Sequence, residues 1–382
     1  MLLANGGIYL DYNATTPIDP QVVEAMQPYL HSNFGNPSSS HELGRQSSRA
    51  IQDARLHIAG LLRCEPNELI FTSGGSESNN LALKGITHKH AHKGMHVIIS
   101  AVEHPSISNV CQYLMEEGFR VSFLPVNGRG VIDPAELGEI ITSKTLLVSV
   151  MHANNEVGSI QPIRELSDIA HDAGAIFHTD AAQSVSKIPV HVDELGCDLM
   201  SVASHKMYGP KGVGVLYSKQ GLTLEPIIHG ASQEAGKRAG TENVASIVGM
   251  GKAAELVTGS LDEEMEHLTA LRDRFQTDLK EAFPQIRVNA AAAKRLPNTL
   301  SVSFRELTAI QIIENLPDIY LSMGAACHRA DGKGSGVLEA MGVPLEYQLG
   351  TLRISLGRFS DENQVTLATN QLIKTIKYLL NQ

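Results

Sequence analysis

Short apolar runs rich in β-branched residues alternate with amphipathic stretches between about residues 65 and 220. Segments such as PSISNVCQYLMEEG and PIRELSDIAHDAG have a helical pattern and fit between the runs. This alternation predicts an α/β domain with a mostly parallel sheet. The last run follows its predecessor too closely for a helix, which favours antiparallel pairing there. The seven predicted strands span 68–73, 96–100, 121–126, 146–151, 175–179, 198–202 and 213–218.

The pattern changes from about Leu261, where a long charged amphipathic helix is predicted. It leads to the run NTLSVSF, a short helix, a loop of small residues, the run LRISL and a terminal helix. This order predicts a smaller α+β domain. We therefore expect a large domain at 15–257 and a small domain at 1–14 plus 258–382, with Cys327 in a loop of the small domain.

The composition is that of an ordinary folded protein and excludes several classes. Hydrophobic residues make up 42% of the 382 residues, and the net charge of −10 argues against nucleic acid or an anionic membrane as the partner. No apolar stretch reaches the roughly eighteen residues that span a membrane. The N-terminus lacks the basic and apolar segments of a signal peptide, so we expect a cytoplasmic protein. Scattered cysteines without a CxxC pair argue against a disulfide framework or a zinc site; they are Cys64, Cys111, Cys197 and Cys327.

Polar side chains follow most of the predicted strands at the point where each strand ends. Ligands in open α/β sheets bind at the carboxyl ends of the strands, so these segments are expected to meet at one edge. This convergence is stronger evidence for a site than any single motif. The segments are SGGSESNN, AVEHP, HANNE, DAAQ and ASHKMYGP.

Lys206 is the residue around which this chemistry is organised. Its amine can form a Schiff base with an aldehyde cofactor and later act as a base. Asp180 follows a strand and can keep a pyridinium nitrogen protonated, while Gln183 can bond to a ring oxygen. The ordinary alternatives are a lysine whose apolar stem lies at a strand end, a helix-capping aspartate and a surface glutamine.

The segment SGGSES opens a predicted helix at about Gly75 and suits a phosphate, because backbone N–H groups and the helix dipole attract anions. It is neither GxGxxG nor a P-loop, and a simple turn is the ordinary explanation. His104 has the flat shape to stack on an aromatic ring, and Asn155 can contact a ring oxygen or a carboxylate. A polar residue at a strand end is the ordinary explanation for His104.

Eight motifs occur in one order and together resemble the cysteine desulfurase and selenocysteine lyase family. This family belongs to the class V aminotransferases, which are pyridoxal 5'-phosphate enzymes of fold type I. The resemblance extends from about Tyr9 to Arg358. The motifs are DYNATTP (11–17), NPSSSHELGR (36–45), FTSGGSESNN (71–80), EH (103–104), ANNEVG (153–158), HTDAAQ (178–183), SHKMYGPKG (204–212) and GTEN (240–243).

The resemblance implies a role for each matched residue. Lys206 would bond to the cofactor's aldehyde, Asp180 would hold its pyridine nitrogen, and His104 would stack on its ring and take part in catalysis. Arg353 would bind the substrate carboxylate, and Thr241 would reach the phosphate in the neighbouring subunit of a homodimer with shared sites. The remaining implied contacts are Gln183 and Asn155 with the ring oxygen, Gly75, Ser76 and His205 with the phosphate, and Asn13 and Asn155 with the substrate.

One position departs from the common desulfurase pattern. Many members read S-x-H-K before the phosphate, whereas this chain has Ala203 at the serine position and Ser204 directly after it. Either the phosphate lacks one hydroxyl partner, or Ser204 replaces it imperfectly.

Cys327 would be the nucleophile that takes sulfur or selenium from the substrate and becomes a persulfide. His328 beside it can lower the pKa of the thiol or supply protons. The string GAACH (324–328) is closer to selenocysteine lyases than to the desulfurases of iron–sulfur assembly. Our first hypothesis is therefore a selenocysteine lyase that makes L-alanine. The alternative is a cysteine desulfurase whose Cys327 persulfide supplies an acceptor protein.

Rival functions remain open at this stage. Transamination or epimerisation runs on the same fold without needing Cys327. A non-enzymatic sulfur carrier would show neither cofactor absorbance nor alanine release. A nicotinamide dehydrogenase is disfavoured because GxGxxG is missing. The histidines of THKHAHKGMH (87–96) have a spacing that can bind metal, although a solvated helix end explains them better, and we expect no metal in the site.

Overall fold

A computed structural model describes residues 6–324 and 334–382. Each of the seven predicted strands is present, with ends shifted by at most two residues. The strands are β1 (Ile8–Tyr9), β2 (Leu69–Thr72), β3 (His96–Ser100), β4 (Arg120–Leu124), β5 (Thr145–Ser149), β6 (Ile176–Asp180), β7 (Leu199–Ala203), β8 (Gly214–Ser218), β9 (Arg287–Val288), β10 (Thr299–Ser303), β11 (Ile319–Tyr320), β12 (Ser322–Met323) and β13 (Thr351–Ser355).

Twelve α-helices connect these strands in the described part of the chain, together with a few short 3₁₀ turns. The helices are α1 (Pro20–His31), α2 (Glu42–Leu62), α3 (Gly75–His90), α4 (Pro105–Glu116), α5 (Pro134–Ile140), α6 (Ile163–Asp172), α7 (Val192–Leu195), α8 (Val244–Ala282), α9 (Ala309–Glu314), α10 (Gly336–Ala340), α11 (Leu345–Gln348) and α12 (Glu362–Leu380).

The large sheet has seven strands in the order β2-β8-β7-β6-β5-β3-β4. Strand β8 pairs antiparallel with both neighbours, β2 and β7, whereas the other neighbours pair parallel. The expected antiparallel member is thus confirmed, because the short β7–β8 connection has no room for a crossover helix. The parallel strands β3 and β5–β7 consequently bring their carboxyl ends to one edge.

Both faces of the large sheet are buried, because the strands are apolar at successive positions. Leu69 and Phe71 pack into one hydrophobic cluster, while Ile70 between them packs into another on the opposite face. Successive side chains of a strand point to opposite faces, so a continuous apolar run needs cover on both. Helices supply that cover, and the sheet becomes a rigid base for the segments at its edge.

A second sheet of four antiparallel strands has the order β12-β13-β10-β9. It shares a separate hydrophobic cluster with α9, α12 and the second half of α8. Strand β1 pairs parallel with β11, which brings the N-terminal segment to the same region. The division at residues 14/15 and 257/258 stays a prediction.

Helix α8 differs from its prediction, since it starts at Val244 and runs unbroken for 39 residues through the expected boundary. Its first half, VASIVGMGKAAELV, is rich in small apolar residues and glycine, which hides the helical pattern in the sequence. Those residues are buried because this half packs closely on α2. Asn243 caps the helix by accepting a hydrogen bond from the Ser246 amide. None of the helices described has both the length and the apolar character to cross a membrane.

Candidate active site

A cavity of about 440 Å³ opens where β3, β5, β6 and β7 end. Its volume lies in the range of small-molecule sites. Residues from the N-terminal segment and from β12 and β13 close its other side. Ten of the predicted site residues line it: Asn13, Gly75, Ser76, His104, Asn155, Asp180, Gln183, His205, Lys206 and Arg353.

Lys206 lies at the end of the single 3₁₀ turn that follows β7. Its Nζ donates hydrogen bonds to the carbonyl oxygens of Asn13 at 2.6 Å and Ala14 at 2.8 Å. Burial, aided by the Arg353 charge and opposed by Asp180, lowers the pKa of Lys206 to about 8. Such an amine is far more often neutral near pH 8 than an exposed lysine, and is therefore a nucleophile and a base.

Asp180 ends β6 and is buried. One carboxylate oxygen accepts from the Asn79 side chain at 2.7 Å, and the other accepts from the Ala182 amide at 2.9 Å. Asn79 in turn donates to Ser106 Oγ at 2.8 Å. These contacts hold an acceptor group at the cavity wall, where it suits a protonated ring nitrogen.

The Asn13 side chain is directed away from the cavity, although it was expected near the substrate. Its amide nitrogen donates to Thr299 Oγ1 at 2.9 Å and to the Asn155 carbonyl, and its oxygen accepts from Asn298. The Asn13 carbonyl faces the site instead, where it accepts from Gln183 Nε2 at 2.9 Å and from Lys206. The assignment of the Asn13 side chain to substrate binding therefore has no support in this geometry.

His104 and His205 are both held by neighbouring polar atoms. The Ser106 amide donates to His104 Nδ1 at 3.2 Å, so a neutral ring carries its proton on Nε2. His205 Nδ1 lies 3.1 Å from Thr15 Oγ1. Burial and the nearby lysines lower the pKa of His205 to about 4, so the ring is neutral near pH 7.

Helix α3 begins at Gly75, as predicted, and its first turn faces the cavity. Gly74 before it has φ of +147°, a conformation that favours glycine. Ala203 lines the cavity beside this turn, whereas the Ser204 hydroxyl points toward Gly209, where an added Cβ would lie 2.1 Å away. This geometry favours the first of the two alternatives given above, in which the phosphate lacks one hydroxyl partner. Ala203 has no hydroxyl, and the Ser204 hydroxyl does not replace it.

Arg353 lies on β13 of the second sheet and lines the cavity together with Lys206, which follows β7 of the large sheet. Nη2 donates to Asp11 at 2.7 Å and to Ser322 at 3.1 Å, and Nη1 donates to the Asn155 carbonyl at 3.2 Å. Nε is buried without a hydrogen-bond partner among the described residues. The guanidinium of an arginine that lines a cavity suits a carboxylate ligand.

Of the remaining predicted residues, Thr241 does not line the cavity and Cys327 is not among the described residues. Thr241 is exposed in the segment before α8. Its expected contact with the phosphate of a neighbouring subunit stays a prediction. Cys327 lies outside the described residues, as does His328.

Sequence reasoning missed several residues that the tertiary structure brings to the site. Asn79 lies one helical turn after Gly75, a spacing that offered a signal. Glu156 lines the cavity within the quoted ANNEVG motif and accepts from Ser335. Burial raises the pKa of Glu103, next to His104, to about 8. Lys187 contacts Gln183, and no sequence signal pointed to it.

The histidines of THKHAHKGMH do not converge. His88 pairs with Glu117 at 2.8 Å, His90 contacts the Thr223 carbonyl, and His96 is buried between Thr145 and Ser122. Across the residues that the structure describes, no group of three or more potential ligands is arranged to hold a metal ion.

Comparison with known proteins identifies the family of this chain. The family model described as aminotransferase class-V matches residues 8–367. The chain belongs to the class V aminotransferases. Curated relatives include a protein named cysteine desulfurase IscS from Dictyoglomus turgidum, 46% identical over 97% of this chain and 95% of its own length. Another of that name, from Methanosarcina thermophila, is 43% identical over 99% and 94%.

A solved structure of a NifS-like protein has the same fold, with a TM-score of 0.92 at 34% identity over 97% of this chain and 100% of that one. This class V aminotransferase is a pyridoxal-phosphate enzyme, as are its relatives. The predicted fold type I, the family and the cofactor are thereby confirmed. The two curated relatives have names that favour the desulfurase alternative, and none of the three names supports the selenocysteine lyase hypothesis.

The residues of the cavity fit this cofactor. A helix N-terminus suits its phosphate, the Asp180 carboxylate suits its ring nitrogen, and the Lys206 amine has the lowered pKa that aldehyde addition needs. The Arg353 guanidinium lines the same space and suits an amino-acid carboxylate.

Proposed function

We propose that this enzyme is a cysteine desulfurase that converts L-cysteine to L-alanine and leaves the sulfur atom as a persulfide on Cys327. The reaction balances, because cysteine and the Cys327 thiol together contain the atoms of alanine and the persulfide. Support comes from the names of the relatives and from a cavity that combines a reactive lysine with a donor for a carboxylate.

The observation that carries the proposal is the placement of Lys206 between Asp180 and Arg353. Its amine has a pKa of about 8 and shares one cavity with both charged side chains. In the proposed complex, Asp180 contacts the ring nitrogen and Arg353 contacts the amino-acid carboxylate. The Cα hydrogen of the substrate then lies near the Lys206 amine. Geometry of this type makes Lys206 the base that removes the Cα proton.

Bound pyridoxal phosphate supplies an electron sink for the pair left at Cα. Asp180 holds the proton on the pyridine nitrogen, and Gln183 donates to the ring oxygen. The helix start at Gly75 and Ser76, with His205, binds the phosphate, and His104 stacks on the ring. Each of these side chains lines the cavity, and Asn155 extends the same wall toward the ring oxygen and the substrate.

Arg353 orients the substrate by donating to its carboxylate. Asp11 and Ser322 hold the guanidinium in place from behind. The contact with the carboxylate fixes the substrate while its sulfur reacts. Cys327 then attacks this sulfur as a thiolate, and the carbon–sulfur bond breaks while the sulfur–sulfur bond forms.

A homodimer is part of the proposal, with Thr241 of one subunit contributing to the phosphate site of the other. Thr241 is exposed and lies outside the cavity of its own chain, which is compatible with a role across an interface. A sulfur-acceptor protein would receive the persulfide sulfur. A small domain formed by 1–14 and 258–382 would carry both Cys327 and Arg353.

The decisive experiment measures alanine release by the purified holoenzyme from L-cysteine and L-selenocysteine in parallel. We expect turnover of cysteine that Cys327→Ala abolishes, with a persulfide detected by mass spectrometry on the wild-type chain. Strong preference for selenocysteine without a Cys327 persulfide would instead establish the lyase. Transamination would yield a keto acid and would survive the Cys327→Ala substitution.

A further inference from the structure

Lys187 is a buried lysine whose amine has no carboxylate partner among the described residues. Its side chain is only 5% exposed. Among the residues that the structure describes, no acidic group lies within ion-pair distance of Nζ. Burying a lysine amine in this way is unfavourable, so its presence at this place calls for a reason beyond packing.

The partners of Lys187 are both oxygens of one residue. Nζ donates to the Gln183 side-chain oxygen at 2.8 Å and to the Gln183 carbonyl at 3.0 Å. Burial lowers the pKa of Lys187 well below its usual value, with Lys206 and Arg353 adding to the effect. A neutral amine keeps two hydrogens, which is the number these two oxygens require.

The other end of the Gln183 amide is fixed as well. Nε2 donates to the Asn13 carbonyl at 2.9 Å, the same oxygen that receives the Lys206 amine at 2.6 Å. The two ends of a glutamine amide have nearly the same shape but opposite hydrogen-bonding character. A donor on one side and a carbonyl on the other therefore select one orientation, with the NH₂ group on the side of Lys206.

We infer that Lys187 is a positioning residue that keeps the NH₂ group of Gln183 turned toward the ring oxygen of the cofactor. The inference rests on the proposed function, in which Gln183 donates to that oxygen. A hydrogen bond donated to the ring oxygen stabilises its ionised form. If the amide turned over, its oxygen would face the ring oxygen and the two would repel.

Lys187→Met tests this inference, because methionine fills the space without donating. We expect about five- to tenfold weaker binding of pyridoxal phosphate, the effect of one lost hydrogen bond. We also expect a smaller share of the long-wavelength absorption band that requires an ionised ring oxygen. The apo-protein should keep its melting temperature or gain stability, since a poorly balanced buried amine has been removed.

A double-mutant cycle with Gln183→Met separates positioning from a direct electrostatic effect. If Lys187 acts through Gln183, adding Lys187→Met to Gln183→Met changes neither the cofactor dissociation constant nor the band. Gln183→Glu keeps a partner for Lys187 but cannot donate when ionised, so it should also lose the band. Lys219→Met, at an exposed lysine directly after β8, is the matched control.

Additive effects of the two substitutions, or an unchanged band in Lys187→Met, would overturn the inference. The inference would also be overturned if Lys187→Met weakened cofactor binding only because it destabilised the apo-protein. A wild-type protein that binds no pyridoxal phosphate would overturn the proposed function, and the inference with it. A wild-type protein that binds the cofactor, with a silent Lys187→Met, would reject only the inference.

Discussion

Burial alters the acid–base behaviour of individual side chains around the cavity. Lys206 has a lowered pKa of about 8, while Glu103 on the neighbouring loop has a raised pKa of about 8. In both cases loss of hydration is the main cause, and it favours the neutral form of each group. Each pKa shift leads to a prediction that can be tested by substituting one side chain.

The rate at which the apo-protein takes up pyridoxal phosphate should follow the neutral fraction of Lys206. We expect the rate to rise about tenfold per pH unit below pH 8 and to level off above it, because only the neutral amine attacks an aldehyde. Borohydride trapping and mass spectrometry would measure the labelled fraction. Lys206→Ala should abolish labelling, and a rate that keeps rising through pH 10 would contradict the lowered pKa.

Glu103→Gln should stabilise the apo-protein at neutral and alkaline pH. The folded-state pKa is raised, so the folded protein holds the proton while the unfolded chain releases it above about pH 4.5. Wild-type stability is therefore fully present below that pH and declines as pH rises toward 8. The glutamine variant avoids this decline and should gain about 2–4 kcal/mol at pH 8.

Urea denaturation at pH 5 and pH 8 would measure the difference for Glu103→Gln. Glutamine keeps the oxygen that accepts from Ser100 and the Met151 amide, so the hydrogen bonds of the site are retained. Glu139→Gln, at an exposed position, is the control and should show no such pH dependence. A gain from Glu103→Gln that is equal at both pH values would argue against ionisation as the cause.

At the scale of elements, the contact between α2 and α8 depends on glycine. A Cβ built at Gly251 would lie 2.5 Å from Ala54 Cα and 2.6 Å from its Cβ. The two helices therefore approach as closely as they do because Gly251 lacks a side chain. Gly259 on the same helix has no atom within 4 Å of such a Cβ.

Alanine substitutions at these two glycines should have opposite effects on stability. Gly251→Ala should lower the free energy of unfolding by about 1–3 kcal/mol, because the helices must separate. Gly259→Ala should raise it by about 0.5–1 kcal/mol through better helix propensity. Chemical denaturation of the apo-protein measures both, and equal signs would show that α2 and α8 pack differently from the structure described.

At the scale of the whole molecule, Arg358 joins segments that are far apart in the chain. Its guanidinium contacts Asp19 at the start of α1 at 2.9 Å and Glu264 on α8 at 2.7 Å. It also lies 4.5 Å from the ring centre of Tyr208, two residues after Lys206. All three charged side chains are largely buried, which makes the removal of one partner unfavourable.

Arg358→Met should destabilise the protein by about 3–5 kcal/mol, since two buried carboxylates would lose their partner. Arg274→Met is the matched control, because the Arg274–Glu362 pair is exposed and should contribute less than about 1 kcal/mol. Thermal and urea unfolding of both apo variants would measure the contrast. Similar losses from the two substitutions would mean that the Arg358 cluster is well solvated.

Sequence by itself determined the strands of the large sheet, the antiparallel β8 and the place where α3 begins. These features depend on residues that are close together in the chain, where apolar spacing, glycines and short connections act directly. The order of polar segments after successive strands also predicted eight of the residues that line the cavity, whereas Asn13 and Arg353 were implied by the family resemblance. The motifs implied the family and the cofactor, which the comparisons confirmed.

Only the tertiary structure decided how side chains pair across the molecule. It turned the Asn13 side chain toward Thr299 and Asn298, directed Ser204 away from the cavity, and placed Lys187 behind Gln183. The unbroken course of α8 likewise depends on burial against α2. Such contacts join residues distant in sequence, and their energies depend on packing, burial and competing partners, which no local pattern of residues records.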